Sequence, residues 1–403
     1  MSFSLRSKLA SRSGRLLGSV IDSSTALIAS QKHDVVRFAV GAPSEDLIDT
    51  ANFDRCFGSA SPGKYAYEAS EGEGGLVDEI VRLLAKHGEK TSPDRIIVTS
   101  GGMQGLDVVF KLLVDPGDLV VVESPTYTNG VVTALSYGAD ILEAPVDADG
   151  LIVEALPELV AKAGRPPKLI YAIPNFQNPT GVSLSLERRR LLLQYAEQWG
   201  SVIIDDDPYG LLRFEGEAIP SLKALSGDSE RVVSVRTFSK ILAPGLRLGW
   251  IESSPLIREQ IINAKQAIDS CSSVPTQHMV RSYLAKDLLE PHLERTSALY
   301  RERKYAMQAR IEEQFGENAV YSNPQGGFFL WLTFENELAD IDARRLFPIA
   351  LAEGVAYIAG SDLSLSHAYD NQLRLTFATS SPERISTGIE RIACAIESYR
   401  RIV

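Results

Sequence analysis

The residues best suited to covalent chemistry stand in Arg236-Thr237-Phe238-Ser239-Lys240-Ile241-Leu242-Ala243-Pro244-Gly245-Leu246-Arg247-Leu248-Gly249-Trp250. Two hydroxyl residues precede one lysine, a Pro-Gly turn follows it, and an arginine stands seven positions beyond it. An amine, two small donors and a fixed cation suit a molecule that carries both an aldehyde and a phosphate. Standing alone, the segment reads more readily as a surface lysine beside an arginine in a loop.

Other stretches carry chemistry of their own. Ile96-Ile97-Val98-Thr99 reads as a strand, Ser100-Gly101-Gly102 as a turn, and Leu106, Val109, Phe110 and Leu113 recur at helical spacing. A strand entering a helix through glycines presents free backbone N–H groups and the positive end of the helix dipole, which bind phosphate. Gly102 and Met103 are the expected donors, through their backbones. Asp205-Asp206-Asp207 closes the strand Ser201-Val202-Ile203-Ile204. Three adjacent carboxylates repel one another unless a proton or cation sits among them, and a divalent metal is the alternative reading. In Gln372-Leu373-Arg374-Leu375-Thr376-Phe377-Ala378, strand alternation sets Arg374 opposite Leu373, Leu375 and Phe377. Its planar fork of donors matches a carboxylate, while the plain alternative is a solvent-facing strand arginine.

The elements that must position these groups follow from periodicity. From about residue 95, β-rich runs alternate with helical ones, which predicts a mostly parallel sheet with helices on both faces. Ser185 is an expected N-cap for a helix bearing Leu191, Leu192, Tyr195, Ala196 and Trp199 and ended by Gly200. Val35 to Val40 predicts a short strand stopped by Gly41-Ala42-Pro43. Upstream, Leu16, Leu17, Val20 and Ile21 predict an arm or short helix that packs on something else, such as a second subunit. One long charged helix is expected from Tyr283 to Phe315, then a glycine turn feeding Phe328 to Leu332, and a strand from Glu353 to Ile358.

A chain of 403 residues, 44% of them hydrophobic, can bury a large core in two lobes. Its net charge of −11 leaves no basic footprint for nucleic acid. Cys56, Cys271 and Cys394 lack metal or disulfide spacing, so reduced thiols in a cytoplasmic protein are expected. Met1 to Arg6 lacks an apolar leader core, and no run has the length of a membrane span. The five histidines, His33, His87, His278, His292 and His367, show no metal spacing and are read as incidental.

Around the lysine segment stand Lys64-Tyr65-Ala66-Tyr67-Glu68-Ala69-Ser70-Glu71-Gly72, Ser124-Pro125-Thr126-Tyr127, Pro174-Asn175-Phe176-Gln177-Asn178-Pro179-Thr180-Gly181 and Asp205-Asp206-Asp207-Pro208-Tyr209-Gly210. In this order they resemble the pyridoxal-phosphate (PLP)-dependent fold-type I aminotransferases (class I/II) of the aspartate-aminotransferase superfamily. The branch containing 2-aminoadipate and aromatic aminotransferases is the most similar, and the resemblance runs from roughly Ser4 to the C-terminus. It implies an α/β fold. A large PLP-binding domain (46–290) would hold a mostly parallel seven-stranded sheet flanked by helices. A smaller α+β domain would be built from both termini, with residues 1–45 as arm and part of it and 291–403 as the remainder.

The resemblance also implies roles. Lys240 forms the Schiff base and, once displaced, takes the α-proton. Asp206 keeps the pyridine nitrogen protonated, Tyr209 and Asn178 donate to the phenolic oxygen, and Tyr127 stacks on the ring. Thr237, Ser239, Arg247 and the Gly102 and Met103 backbones hold the phosphate. Tyr67 and Ser272 serve the phosphate of a neighbouring subunit, so a homodimer with shared sites is implied. Arg374 clamps the substrate α-carboxylate, with Gly41 and Asn178 beside it.

The implied reaction moves an amino group between an L-amino acid and a 2-oxo acid. The alternative is a PLP enzyme acting by elimination, replacement, cyclisation or oxidation at the β or γ carbon. That alternative draws on two departures from the pattern. Ser270-Cys271 stands where relatives have Leu-His, and Ala359-Gly360-Ser361-Asp362-Leu363 where they have Pro-Gly-Ser and an aromatic. A non-catalytic DNA-binding sensor on this fold is disfavoured by the short segment before the resemblance and by the retained Lys240, Asp206, Asn178 and Arg247.

Overall fold

The computed structural model describes residues 8–16, 18–58, 62–227 and 229–402. Ser4 and Leu17, named above, lie outside the described residues. The strands are β1 (Val36–Arg37), β2 (Ile96–Thr99), β3 (Leu119–Ser124), β4 (Asp140–Asp147), β5 (Gly150–Leu151), β6 (Leu169–Ala172), β7 (Val202–Asp206), β8 (Val232–Thr237) and β9 (Gly249–Glu252). A C-terminal group follows: β10 (Ala319–Tyr321), β11 (Phe329–Phe334), β12 (Val355–Ala356), β13 (Ile358–Ala359) and β14 (Gln372–Thr376).

The large sheet has the order β2-β9-β8-β7-β6-β3-β4-β5. The run from β8 through β4 is parallel, β9 is antiparallel to both neighbours, and β5 is a two-residue antiparallel addition beside β4. The seven expected strands are present, and β5 makes an eighth. A smaller antiparallel sheet, β10-β11-β14-β13, builds the C-terminal lobe, and β1 joins that side by pairing with β12.

Period-two alternation explains why helices cover both faces of the large sheet. Val120 and Val122 of β3, Tyr171 of β6, Ile204 of β7 and Val235 of β8 enter one core. Val121, Ile170, Ile203 and Val232 enter the opposite one. Strands buried on both faces read as continuous β-branched runs, as these do. The same alternation sends Asp206 to the face of Ile204 and Asp205 to the face of Ile203. In the parallel run the carboxyl ends share one edge, where ligands of open α/β sheets bind.

Local signals were legible where they were local. Ser185 caps the helix Leu186–Trp199 by accepting from the Arg188 N–H, and Gly200 ends it in the left-handed conformation. The stretch expected as one helix from Tyr283 to Phe315 is two helices, Val274–Ala285 and Leu289–Phe315. Between them Asp287 adopts φ 52°, which no right-handed helix permits, and its carboxylate is held by Arg82 and Lys86 from another helix. The strand expected from Val35 to Val40 shrinks to β1, because the Phe38 carbonyl accepts from Thr376 N and the Ala39 carbonyl from Arg374. The strand expected from Glu353 to Ile358 divides into β12 and β13 at Tyr357, whose buried hydroxyl donates to the Ala343 carbonyl.

Candidate active site

A cavity of about 390 Å³ opens at the carboxyl ends of β7 and β8, and every expected site residue except Tyr67 and Ser272 lines it. β8 ends at Thr237, whose side chain caps the short helix Phe238–Ile241 by accepting from the Ser239 N–H. That cap turns Lys240 into the cavity, where its Nζ donates to the Gly41 carbonyl. Burial, with Arg374 and Arg247 as neighbouring cations, presses the Lys240 ammonium down to about 8. An amine so placed is a far better nucleophile at neutral pH than an exposed lysine.

The phosphate turn is built as its sequence requires. Gly101, at φ 84°, precedes the helix Gly102–Leu113, whose first intrahelical bond runs from Gly105 N to the Gly101 carbonyl. The Gly102 and Met103 N–H groups therefore lie ahead of that bond, at the positive end of the helix. A Cβ on Gly101 would stand 2.8 Å from Arg247 Nη2, so the missing side chain is what lets the guanidinium approach the turn. Thr237 Oγ1 and Ser239 Oγ lie 2.9 Å apart, and the Thr237 side chain packs beside Gly102 in the same turn.

The three adjacent carboxylates do not make one site. Asp206 faces the cavity and accepts a hydrogen bond of 2.7 Å from the Tyr171 hydroxyl. Burial pushes its carboxyl up to about 7, against the lowering effect of that hydrogen bond. Asp207 turns away to accept from Gly210 N and faces Arg236 at 3.8 Å. Asp205 is buried on the other face of β7 with no hydrogen-bond partner on either oxygen among the described residues, and burial raises its pKa. A buried carboxyl at the end of a strand, held by one hydroxyl, is suited to pair with a cationic ring nitrogen.

Tyr209 is buried edge-on against Phe328 and Phe329, and it is hydrogen-bonded to the Asn178 side chain. Asn178 Oδ1 also accepts from Arg374 Nη1 at 3.0 Å, while Arg374 Nη2 donates to the Ala39 carbonyl at 2.6 Å. Arg374 is fully buried over the Phe329 ring, and its Nε has no hydrogen-bond partner among the described residues. Burial presses its guanidinium down to about 10. Of the two readings of this strand arginine, the solvent-facing one is therefore excluded. No salt bridge to Arg374 forms among the described residues, so the cation calls for an anion from outside the chain.

Two expected residues stand apart. Tyr67 is 89% exposed, and its ring lies outside the cavity. Ser272 is buried, with its hydroxyl 3.3 Å from Ser100 Oγ in the phosphate turn of its own chain. Beside it, wholly buried Lys265 pairs with Asp269 at 2.7 Å, and Asp269 accepts from Ser100 Oγ and Gln104 Nε2. Tyr171, Gln104, Lys265 and Asp269 were not singled out from sequence. Tyr171 had a local signal only in its strand alternation with Leu169. The Asp269 network had a local signal only in the four-residue spacing of Lys265 and Asp269, while its bonds to Ser100 and Gln104 join residues far apart in the chain.

The donor set fits pyridoxal 5′-phosphate. Glycine N–H groups, Thr237, Ser239 and Arg247 converge where a phosphate would sit, Tyr127 lines the wall, and a buried carboxyl and a depressed lysine stand in the same cavity. The family described as aminotransferase class I and II matches residues 34–392. Aromatic-amino-acid aminotransferase 1 of Thermococcus litoralis is 36% identical over 305 residues, covering 75% of this chain and 72% of its own. The solved kynurenine aminotransferase of Pyrococcus horikoshii, in complex with PMP, superposes with a TM-score of 0.91 at 30% identity over 98% of both chains. The α-aminoadipate aminotransferase of Thermus thermophilus, solved with N-(5′-phosphopyridoxyl)-L-leucine, gives 0.89 at 29% identity over 100% of both.

Proposed function

The chain belongs to the class I and II aminotransferases and is a PLP-dependent enzyme that transfers an amino group, and from that premise we propose how its residues divide the work and which substrate it takes. When bound, pyridoxal phosphate supplies an aldehyde for the amino group and a ring that stores the electron pair left when the α-proton departs. Lys240 Nζ is the amine that anchors the cofactor, and after displacement it accepts the proton from the substrate Cα. Asp206, held by Tyr171, keeps a proton on the ring nitrogen. Tyr209 and Asn178 serve the ring oxygen, and Tyr127 covers the ring and excludes water. Gly102 N, Met103 N, Thr237, Ser239 and Arg247 bind the phosphate.

The observation that carries the reading is Arg374, a buried cation without a carboxylate partner among the described residues, in one cavity with Lys240 and Asp206. A substrate α-carboxylate answers it, with the Gly41 backbone alongside. The only cations lining the cavity among the described residues are Lys240, Arg247 and Arg374, and each already has a task. Val40, Leu106, Ile173 and Met103 supply an apolar wall. We therefore read the preferred substrate as an L-amino acid with an apolar or aromatic side chain, a reading supported by the aromatic-amino-acid relative. Holoenzyme mixed with a panel of amino acids and no acceptor should release 2-oxo acid, in amounts equal to bound cofactor, from phenylalanine or leucine at lower concentrations than from glutamate. Preference for glutamate would overturn the side-chain assignment.

The working unit we propose is a homodimer. The exposure of Tyr67 supports a role on a second copy's phosphate, whereas the buried Ser272 hydroxyl stands beside the phosphate turn of its own chain. Residues 1–45 with 291–403 act as the small domain and 46–290 as the large one. No helix of the described residues is long and apolar enough to cross a membrane, and the three cysteines are unpaired thiols, which supports a reducing, cytoplasmic setting.

A further inference from the structure

Glu143, on β4, takes no part in the chemistry above, yet its carboxylate is heavily used. Its Oε1 accepts from Ser124 Oγ at 3.0 Å, Ser364 Oγ at 2.9 Å and Leu365 N at 2.9 Å, and its Oε2 from Ser366 N at 3.0 Å. Ser124 ends β3 and leads through Pro125 and Thr126 to Tyr127. Residues 364–366 lie on the chain that leaves β13, and two further bonds tie this chain to the same turn. The Thr126 N–H donates to the Leu363 carbonyl at 2.9 Å, and the Tyr369 hydroxyl donates to the Ser124 carbonyl at 2.7 Å. At its other end, β13 pairs with β14 so that Ile358 stands opposite Arg374. A single strap thus runs from the strand beside the arginine to the turn that carries the aromatic ring. It begins in Ala359 to Leu363, where the sequence departs from the family pattern.

We propose that Glu143 is a positioning residue: by holding residues 364–366 against Ser124, it fixes the gap between Tyr127 on the large lobe and Arg374 on the small one. That gap is the room left for the amino acid. The inference rests on the assignment of Tyr127 to the ring and Arg374 to the substrate carboxylate. A carboxylate suits the task because both oxygens only accept, and the Ser364 hydroxyl and the two N–H groups all donate. Glutamine has the same size but would turn an NH₂ toward at least one donor.

The test is Glu143→Gln in the holoenzyme, read by amide hydrogen exchange and by steady-state kinetics. Loss of the charge-assisted bonds should speed exchange at Leu365 and Ser366 by about tenfold or more. KM for the amino acid should rise about tenfold while kcat changes less than about threefold, with the bound-cofactor absorbance unchanged. Glu143→Asp should recover part of the KM. Ser364→Ala, a milder change that removes one donor, should speed the same exchange should the glutamine variant fold poorly. Unchanged exchange in both variants overturns the tie. Faster exchange with wild-type KM overturns the positioning role, as does an equal loss in kcat and absorbance, which a purely structural residue would give. Failure of the underlying reading looks different: Arg374→Ala would leave KM unchanged while the exchange effect of Glu143→Gln persisted.

Discussion

At the scale of single residues, the account turns on charges held where water cannot screen them. Arg374 is buried with one nitrogen unpartnered among the described residues, so its interaction with an incoming carboxylate is strengthened by the same desolvation that makes it costly alone. Arg374→Ala should raise KM and lower kcat/KM by about a hundredfold, the scale of two charge-assisted hydrogen bonds at about 1.5 kcal/mol each; steady-state kinetics with one amino acid checks it. Lys240 is pressed from 10.5 to about 8. Its neutral, nucleophilic fraction therefore grows as pH rises through 8 rather than through 10.5. The rate at which apo-enzyme captures PLP, followed by absorbance, should inflect near pH 8; a rise that continues to pH 10 would contradict the burial argument. The Tyr171 hydroxyl stabilises the ionised form of Asp206. Tyr171→Phe should thus weaken that ion pair with the ring and cut kcat about tenfold with little change in KM.

At the scale of elements, strand ends and helix starts do the positioning. Much of this was legible, because the groups that announce it are neighbours in the chain: the two hydroxyls before Lys240, the glycines before Met103, the Ser185 cap; that Thr237 also caps the lysine's helix was not. What was hidden depends on register between distant strands. Tyr171 reaches Asp206 only because β6 lies beside β7, and Gly130 leaves it room, since a Cβ there would stand 2.6 Å from the Tyr171 hydroxyl oxygen. The break at Asp287 did have a local signal, Pro291, which lacks the N–H to bond the Asp287 carbonyl and fits only the first turn of a new helix, while the hold of Arg82 and Lys86 on the Asp287 carboxylate was hidden. The carboxyl-rich strand ends carry a thermodynamic signature. Glu123 on β3 and Asp205 and Asp206 on β7 are buried, and burial raises all three above ordinary carboxylate values, Glu123 to about 8 and Asp206 to about 7. Carboxyls raised in the fold bind more protons folded than unfolded between their two pKa values, so stability falls as pH climbs through that window. The apo-chain's Tm should drop between pH 5 and pH 8, and PLP binding should raise it most at the upper end. A Tm that rises over that range would contradict the burial of these groups as ionisable carboxyls.

At the scale of the whole molecule, two lobes meet over one cavity: the large lobe brings Lys240, Asp206 and Tyr127, and the small lobe brings Arg374. The composition foretold two lobes, but how they meet was not readable, since the strap and β1 join parts of the chain far apart in sequence. A second copy is predicted to complete the site through Tyr67. Tyr67→Phe should weaken PLP retention without altering the mass measured by sedimentation, and an unchanged cofactor dissociation rate would remove Tyr67 from the site. The most direct measurement concerns the covalent anchor. Holoenzyme reduced with borohydride and digested should carry a phosphopyridoxyl group on the peptide containing Lys240, and Lys240→Ala should carry none and show no turnover. Label on another buried lysine, such as Lys265, or full turnover by Lys240→Ala, would contradict the account.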